Sequence, residues 1–309
     1  MLKMSNGTNH MAEAQERLDR AGHGASLHDA FAGCDDDLWV WCLTEGRAAL
    51  PKLAELLPSL PDGDTQRRFT GKADADAFRT SVAGVRVFKD AATRMGLDLS
   101  KPDLRIADIG CGWGRITQTL LREAPPERLT GVDVMGEAIE ICRGTGLRAN
   151  LMHVEPWPPS AMAPESLDLI VAYSVFSHLG EDNHWAWMRE FHRALRPGGV
   201  VAVTTRPREF IQFCETLRQQ DEIPPHARGA AVSFVENAMW LGRYDKGEFC
   251  FDTAGGGGGG LTPVYGEACI SPAYIERVWT TVYDRVAFIP IAEHGAFDQH
   301  VLVAAKGSR

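Results

Sequence analysis

Asp108-Ile109-Gly110-Cys111-Gly112-Trp113-Gly114-Arg115 is the stretch on which the fold of this chain turns. An apolar run, Leu104 to Ile109, leads into it, and a helical pattern from Arg115 to about Arg122 leads out. Glycines between a strand and a helix let the backbone turn sharply and approach a ligand closely. The helix that follows presents unpaired N–H groups toward that ligand. The spacing is G-x-G-x-G. A dinucleotide loop reads G-x-G-x-x-G, and Arg115 stands where its third glycine is needed.

Outward from the loop, strand and helix patterns alternate. Strands are expected at Leu129–Val134, Leu151–Val154, Leu167–Tyr173 and Val200–Thr204, and again at Val286–Ile291 and His300–Ala304. With Leu104–Ile109 that makes seven. Helices are expected at Glu137–Arg143, Asn183–Leu195 and Pro272–Trp279. Such alternation specifies βαβ units and a mostly parallel sheet. The strands are continuous apolar runs, as when helices cover both faces. Arg196-Pro197-Gly198-Gly199 is expected to stop one helix and turn into the next strand.

Upstream, Leu27 to about Met95 is mostly helical in pattern, broken by the turn signal Pro61-Asp62-Gly63-Asp64. Gly84 weakens the start of the helix expected around Ala83–Ala91. Residues 1–25 are polar and unpatterned and are expected to fray. The organisation expected is a helical N-terminal extension or lid (1–100), a core (101–205), an insertion after the fifth strand as a cap for an acceptor site (206–270), and the rest of the core sheet (271–309). The insertion holds the glycine run Gly255–Gly260, expected to form a mobile loop.

The chain has 309 residues, 44% of them apolar and 24% charged, as in a globular protein. Thirty-two basic and 41 acidic residues give a net charge of −9, which argues against a nucleic-acid substrate. The short basic pieces Arg67-Arg68 and Arg206-Pro207-Arg208 are expected on the solvated surface. No run approaches the roughly 18–20 apolar residues of a membrane span, and the start carries no apolar signal core. Seven cysteines without a C-x-x-C pair suggest reduced, buried thiols, a cytoplasmic setting and no structural zinc.

Asp108 stands just before the first glycine. A carboxylate there disfavours a pyrophosphate and favours a ligand with an ammonium group. S-adenosylmethionine (SAM) has an ammonium, a carboxylate and a sulfonium, and no phosphate. Asp133, about 20 residues beyond the glycines at the end of the second strand, suits a pair of ribose hydroxyls. The run Leu104–Leu121 resembles motif I of class I SAM-dependent methyltransferases. Gly131-Val132-Asp133-Val134 with Glu137-Ala138-Ile139 is similar to the family's second-strand motif. Leu167–Leu179 is similar to its fourth-strand motif, and Leu195-Arg196-Pro197-Gly198-Gly199 to its helix-to-strand turn.

That resemblance implies a Rossmann-like, doubly wound α/β fold with an antiparallel last strand, SAM as cofactor and S-adenosylhomocysteine as product. By position, Asp108, Gly110, Cys111 and Gly112 would hold the amino-acid end, and Asp133 the ribose, with Val134 and Met135 beside it. Val154 and Glu155 would flank the adenine, and Tyr173 and Ser174 would line the transfer pocket. Each position has a plainer reading. The glycines would suit a simple turn, Asp133 a helix N-cap, Glu155 a solvated loop acid and Trp157 a packing residue.

Methyl transfer from a sulfonium mainly needs alignment in a dry pocket. His178, just after the fourth strand, is the best-placed general base, because a histidine titrates near neutrality. His184 and His192 suit structural or solvated roles, and the histidines form no recognised metal set. The expected acceptor is a small molecule, at oxygen in preference to nitrogen or carbon. Phe69, within Gln66–Gly71, would cover the cofactor. Phe210, Phe213, Phe234, Trp240 and Tyr244 would either line the acceptor site or form the insertion's own core. The alternatives are a SAM-binding regulatory module without catalysis and a nicotinamide oxidoreductase.

Overall fold

Continuous apolar strands bury both faces, and the inner strands of the protein's mixed, mostly parallel seven-stranded sheet do so with helices around them, while the two at its ends, Asn150–His153 and Arg285–Ile289, stay partly exposed. The computed structural model describes residues 3–223, 227–255 and 264–308. The expected glycine loop falls outside the described residues beyond Gly255. The chain divides into two compact units, Met1–Arg86 with Asp103–His153, and Val87–Pro102 with Val154–Arg309.

The first unit holds three parallel strands in the order β3-β2-β1: β1 Ile106–Ile109, β2 Leu129–Asp133 and β3 Asn150–His153. Ile106 pairs with Leu129 and Asp133 with His153. The helix Arg115–Thr119 leaves the glycine loop, and the helix Gly136–Gly144 follows β2. Trp113 of the loop is fully buried and meets Phe78 edge-on at 5.6 Å. Trp39 donates its indole N–H to the Thr119 carbonyl at 2.9 Å, and the Ser81 and Thr119 hydroxyls bond at 2.7 Å. The N-terminal helices thus pack on the loop's own helix.

Two expectations fail in this region. Residues 3–21 form a 19-residue helix and do not fray, because Ala14 and Leu18 on one face are buried. Gly84 does not weaken a helix start, since the helix Asp74–Arg94 runs straight through it. The turn signal at Pro61–Asp64 acts as a cap. Asp62 accepts from the Asp64 and Thr65 N–H groups and starts the helix Gly63–Thr70.

The second unit orders four strands as β4-β5-β9-β8: β4 Leu167–Ala172, β5 Leu195–Thr205, β8 Arg285–Ile289 and β9 His300–Ala305. Between β5 and β8 in sequence come β6 Cys250–Asp252 and β7 Glu267–Cys269, a separate antiparallel pair. β4 and β5 are parallel, and β9 is antiparallel to both β5 and β8, as the resemblance implied. Arg196–Gly199 is not the expected turn. The helix Glu181–Ala194 passes directly into β5, whose register against β4 jumps from Leu167↔Leu195 to Leu169↔Val200. These four residues bulge out of the strand, with Gly198 at φ +78°.

The insertion folds on itself. Phe210, Phe234 and Tyr244 are buried in a small core with Cys214, Cys250 and Cys269, and Trp240 packs against it, whereas Phe213 is exposed. That matches the plainer of the two readings for these aromatics. All seven cysteines are free and buried. Among the described residues no helix is long and apolar enough to cross a membrane.

His184 is fully buried, as a structural histidine should be. Its Nε2 accepts from the Trp279 indole at 2.9 Å, and Phe176 meets its ring edge-on at 4.8 Å. Burial drives its pKa down to about 3, so it stays neutral in the folded protein. The unfolded imidazole takes a proton below about 6.5, so the folded state loses relative stability as pH falls from there toward 3. His184→Phe is therefore expected to remove about 1.4 kcal/mol per pH unit from the slope of unfolding free energy between pH 6 and 4. Urea unfolding across that range, wild type against variant, checks it.

Candidate functional site

In the first unit the glycine loop is held almost entirely by β2. The Gly110 and Cys111 N–H groups both donate to the Val132 carbonyl, at 2.8 and 3.0 Å. Asp133 Oδ2 accepts from the Gly112 N–H and Oδ1 from the Met135 N–H, each at 2.8 Å. One carboxylate thus joins the loop to the exit of β2. Burial raises the Asp133 pKa, and these backbone N–H bonds oppose the rise. Asp133 is not a helix N-cap. Met135 occupies the N-cap of Gly136–Gly144, with no side-chain cap bond.

The loop glycines carry positive φ angles of 69°, 54° and 87° at Gly110, Gly112 and Gly114. At Gly114 space forbids a side chain as well, since a Cβ would lie 2.6 Å from Leu147 Cδ2 and 3.1 Å from Cys142 Sγ. A Cβ on Gly112 would meet the Phe69 ring at 3.3 Å, so Phe69 lies directly against the loop. Asp108 is buried, with Oδ2 accepting from the Thr117 hydroxyl at 2.7 Å. Burial pushes its pKa up to about 7, opposed by the Thr117 bond and by Arg115. A cationic group beside it would hold it ionised. Asp108, Gly110, Cys111, Gly112, Asp133, Val134 and Met135 therefore fall together around one clamp.

The remaining sequence candidates belong to the second unit. Val154 is buried and Glu155 is exposed. Trp157 is 45% exposed, which does not fit a packing residue. Tyr173 packs against Phe88 and Phe297. Ser174 takes φ +57°, in the left-handed region that non-glycine residues seldom enter. It is held there from two sides. Its N–H donates to Thr204 Oγ1 at 2.7 Å, and Gln299 Nε2 donates to its hydroxyl at 2.5 Å. Such strain collects at functional positions.

His178 is stitched to the segment entering β7. Gly266 N–H donates to the His178 carbonyl at 2.9 Å, and His178 Nδ1 lies 2.7 Å from the Gly266 carbonyl. A carbonyl only accepts, so Nδ1 carries the proton and Nε2 keeps its lone pair. Tyr265 stacks on the imidazole at 4.6 Å and 5°. Burial lowers the His178 pKa, against the pull of Glu267 upward. Glu267 Oε2 lies 3.6 Å from Nδ1 and accepts from Arg206 Nε at 2.6 Å.

Arg206 is thus not solvated surface as its charge context suggested. Its side chain is 19% exposed and lies over the Phe210 ring at 3.9 Å. Arg208, two residues on, does pair at the surface, with Asp245. Sequence reasoning missed Gly266, Glu267, Tyr265 and Gln299. Only Gln299 had a signal, the antiparallel last strand, whose start lies beside the end of β5, with His300 opposite Thr205.

Residues 107–201 match a family model described as a methyltransferase domain. The chain is 36% identical over 126 residues to a trans-aconitate 2-methyltransferase of Rhodopseudomonas palustris, covering 38% of this chain and 46% of the relative. It is 31% identical over 160 residues to the enzyme of that name from Azoarcus sp., covering 50% and 59%. It is also similar to a solved S-adenosylmethionine-dependent methyltransferase from Mesorhizobium loti, with 14% identity, TM-score 0.42, and 65% and 90% of the two chains covered. The chain spans about half the length of the curated relatives it matches. Residues 107–201 are thus similar to a methyltransferase domain.

Gly114→Ala is expected to lower the unfolding free energy by about 2–4 kcal/mol, from left-handed strain plus overpacking against Leu147. Gly144, with open space at its Cβ, is the control, and its alanine variant should change stability by less than about 1 kcal/mol. Urea unfolding followed by tryptophan fluorescence compares the two.

Proposed function

We propose that the chain is a SAM-dependent methyltransferase acting on an oxygen atom of a small molecule. The carrying observation is the Asp133 clamp on the glycine loop, beside a buried Asp108. The residues fit the cofactor's chemistry. Asp133 offers a carboxylate whose remaining lone pairs suit two ribose hydroxyls, and Asp108 suits an ammonium group. When bound, SAM supplies a methyl group on a sulfonium, whose sulfur leaves with the bonding pair as a thioether. Phe69, whose ring lies against Gly112, covers the cofactor.

In the second unit, His178 offers Nε2 as the proton acceptor for a hydroxyl, with Gly266 fixing the tautomer. Ser174 and Tyr173 line the acceptor pocket. The insertion, residues 206–270, caps it. Trans-aconitate, the acceptor in the names of two relatives, is the first compound to test; its oxygens are carboxylates that need no base, so the role of His178 is tested with an acceptor that carries a hydroxyl.

Calorimetry is expected to give micromolar binding of SAM and of S-adenosylhomocysteine. Asp133→Ala should weaken SAM binding about 10–100-fold, through loss of charge-assisted bonds worth about 1.5–3 kcal/mol. Unchanged affinity would remove the ribose assignment. His178→Gln should lower kcat by about 10²–10⁴-fold with SAM affinity intact. An unchanged kcat would eliminate the base and leave an acceptor oxygen that is already anionic.

A further inference from the structure

Arg206 comes immediately after β5, at the carboxyl end of the parallel β4–β5 pair, where open α/β sheets place their ligands. Its Nε is engaged by Glu267 at 2.6 Å, and its guanidinium lies on Phe210 at 3.9 Å. Both contacts fix the plane of the fork. Its two terminal amino groups have no hydrogen-bond partner among the described residues, and neither is sealed from solvent. A held guanidinium with its outer edge open matches a carboxylate in bidentate geometry. The same Glu267 oxygen lies 3.6 Å from His178 Nδ1, so one carboxylate ties this open edge to the imidazole.

Resting on the methyltransferase reading above, we propose that Arg206 determines acceptor specificity: its terminal amino groups seat a carboxylate of the methyl acceptor. The acceptor is then a carboxylic acid anion whose carboxylate is held beside the reacting oxygen. Glu267 already takes up Nε, so the open edge offers one planar pair of donors, which fits the two coplanar oxygens of a single carboxylate group, and inorganic phosphate is the comparison anion. Arg206 acts here by binding and orienting, and the methyl transfer itself is unchanged.

The test uses the full chain saturated with S-adenosylhomocysteine, titrated by calorimetry with trans-aconitate, with its trimethyl ester and with inorganic phosphate. Turnover with trans-aconitate is measured in parallel. Wild type should bind the acid and neither of the other two. Arg206→Met should weaken acid binding and raise KM by about 10–100-fold, with kcat changed much less and SAM affinity unchanged. Arg206→Lys should recover part of the loss, because it restores a point charge without the fork.

Arg206→Met leaves Glu267 unpaired and can destabilise the fold. The double variant Arg206→Met with Glu267→Gln removes both charges. It should fold and bind SAM, yet still fail to bind the acid. Recovery of acid binding in the double variant would reduce Arg206 to a structural partner of Glu267 and overturn the proposal. So would tighter binding of the ester or of phosphate, or no binding of the acid by wild type. SAM affinity separates the two readings: its absence in wild type defeats the methyltransferase assignment, whereas its presence with acid-independent acceptors defeats only the role of Arg206.

Discussion

Asp133 is the point on which the first unit's glycine loop depends. Its two oxygens accept from Gly112 in the loop and from Met135 just after β2. A buried carboxylate is costly unless its lone pairs are engaged, and here backbone N–H groups do that. Other backbone groups of the loop are engaged as well, while the buried Trp113 indole N–H has no partner among the described residues. Val132 takes two N–H groups, and the Gly112 carbonyl accepts from Cys142 Sγ at 3.2 Å. With Trp113 locked under Phe78, the loop is organised before any ligand arrives. Glycine at 114 follows from this arrangement, because Leu147 and Cys142 already fill the space of a side chain.

Glu267 has a comparable position in the second unit, though among the described residues it reaches two side chains and no backbone N–H. It is joined to Arg206 directly and to His178 at longer range. The β6–β7 pair carries it there, and the exchange of bonds between Gly266 and His178 sets the register. A histidine tautomer is thereby specified by a backbone carbonyl, which no change of pH can turn into a donor.

The fold was legible where its determinants are local. G-x-G-x-G, continuous apolar strands and helical periodicity lie within a few residues of one another, and most of the elements they specify are found within a residue or two, β5 excepted, which starts five residues early at Leu195. The parts that escaped depend on long-range pairing. Gly266 lies 88 residues from His178, and Gln299 125 from Ser174. Only the threading of β9 between β5 and β8 brings Gln299 to Ser174. Arg206 was misjudged because the pattern Arg-Pro-Arg says nothing about which of the two arginines faces a glutamate 61 residues away. The first helix escaped for the opposite reason: few apolar positions, such as Ala14 and Leu18, are enough when neighbouring helices already provide a surface. Arg196–Gly199 carries every sign of a turn, yet hydrogen bonds from Gly198 to Lys306 and Gly307 absorb it into β5 as a bulge.

The Arg206–Glu267 pair is better explained as a positioning device than as a source of stability. Withdrawing two charges from water costs more than their attraction returns unless all their hydrogen-bonding capacity is used. Glu267 is 8% exposed, and it engages Arg206 through a single nitrogen, Nε. A pair selected for stability would present the whole fork to the carboxylate. Engagement through Nε instead turns the outer edge of the guanidinium away from its partner, and Phe210 beneath keeps it there. The geometry thus sacrifices the stronger internal contact and keeps two donors available, which is the arrangement that recognition of an anion requires.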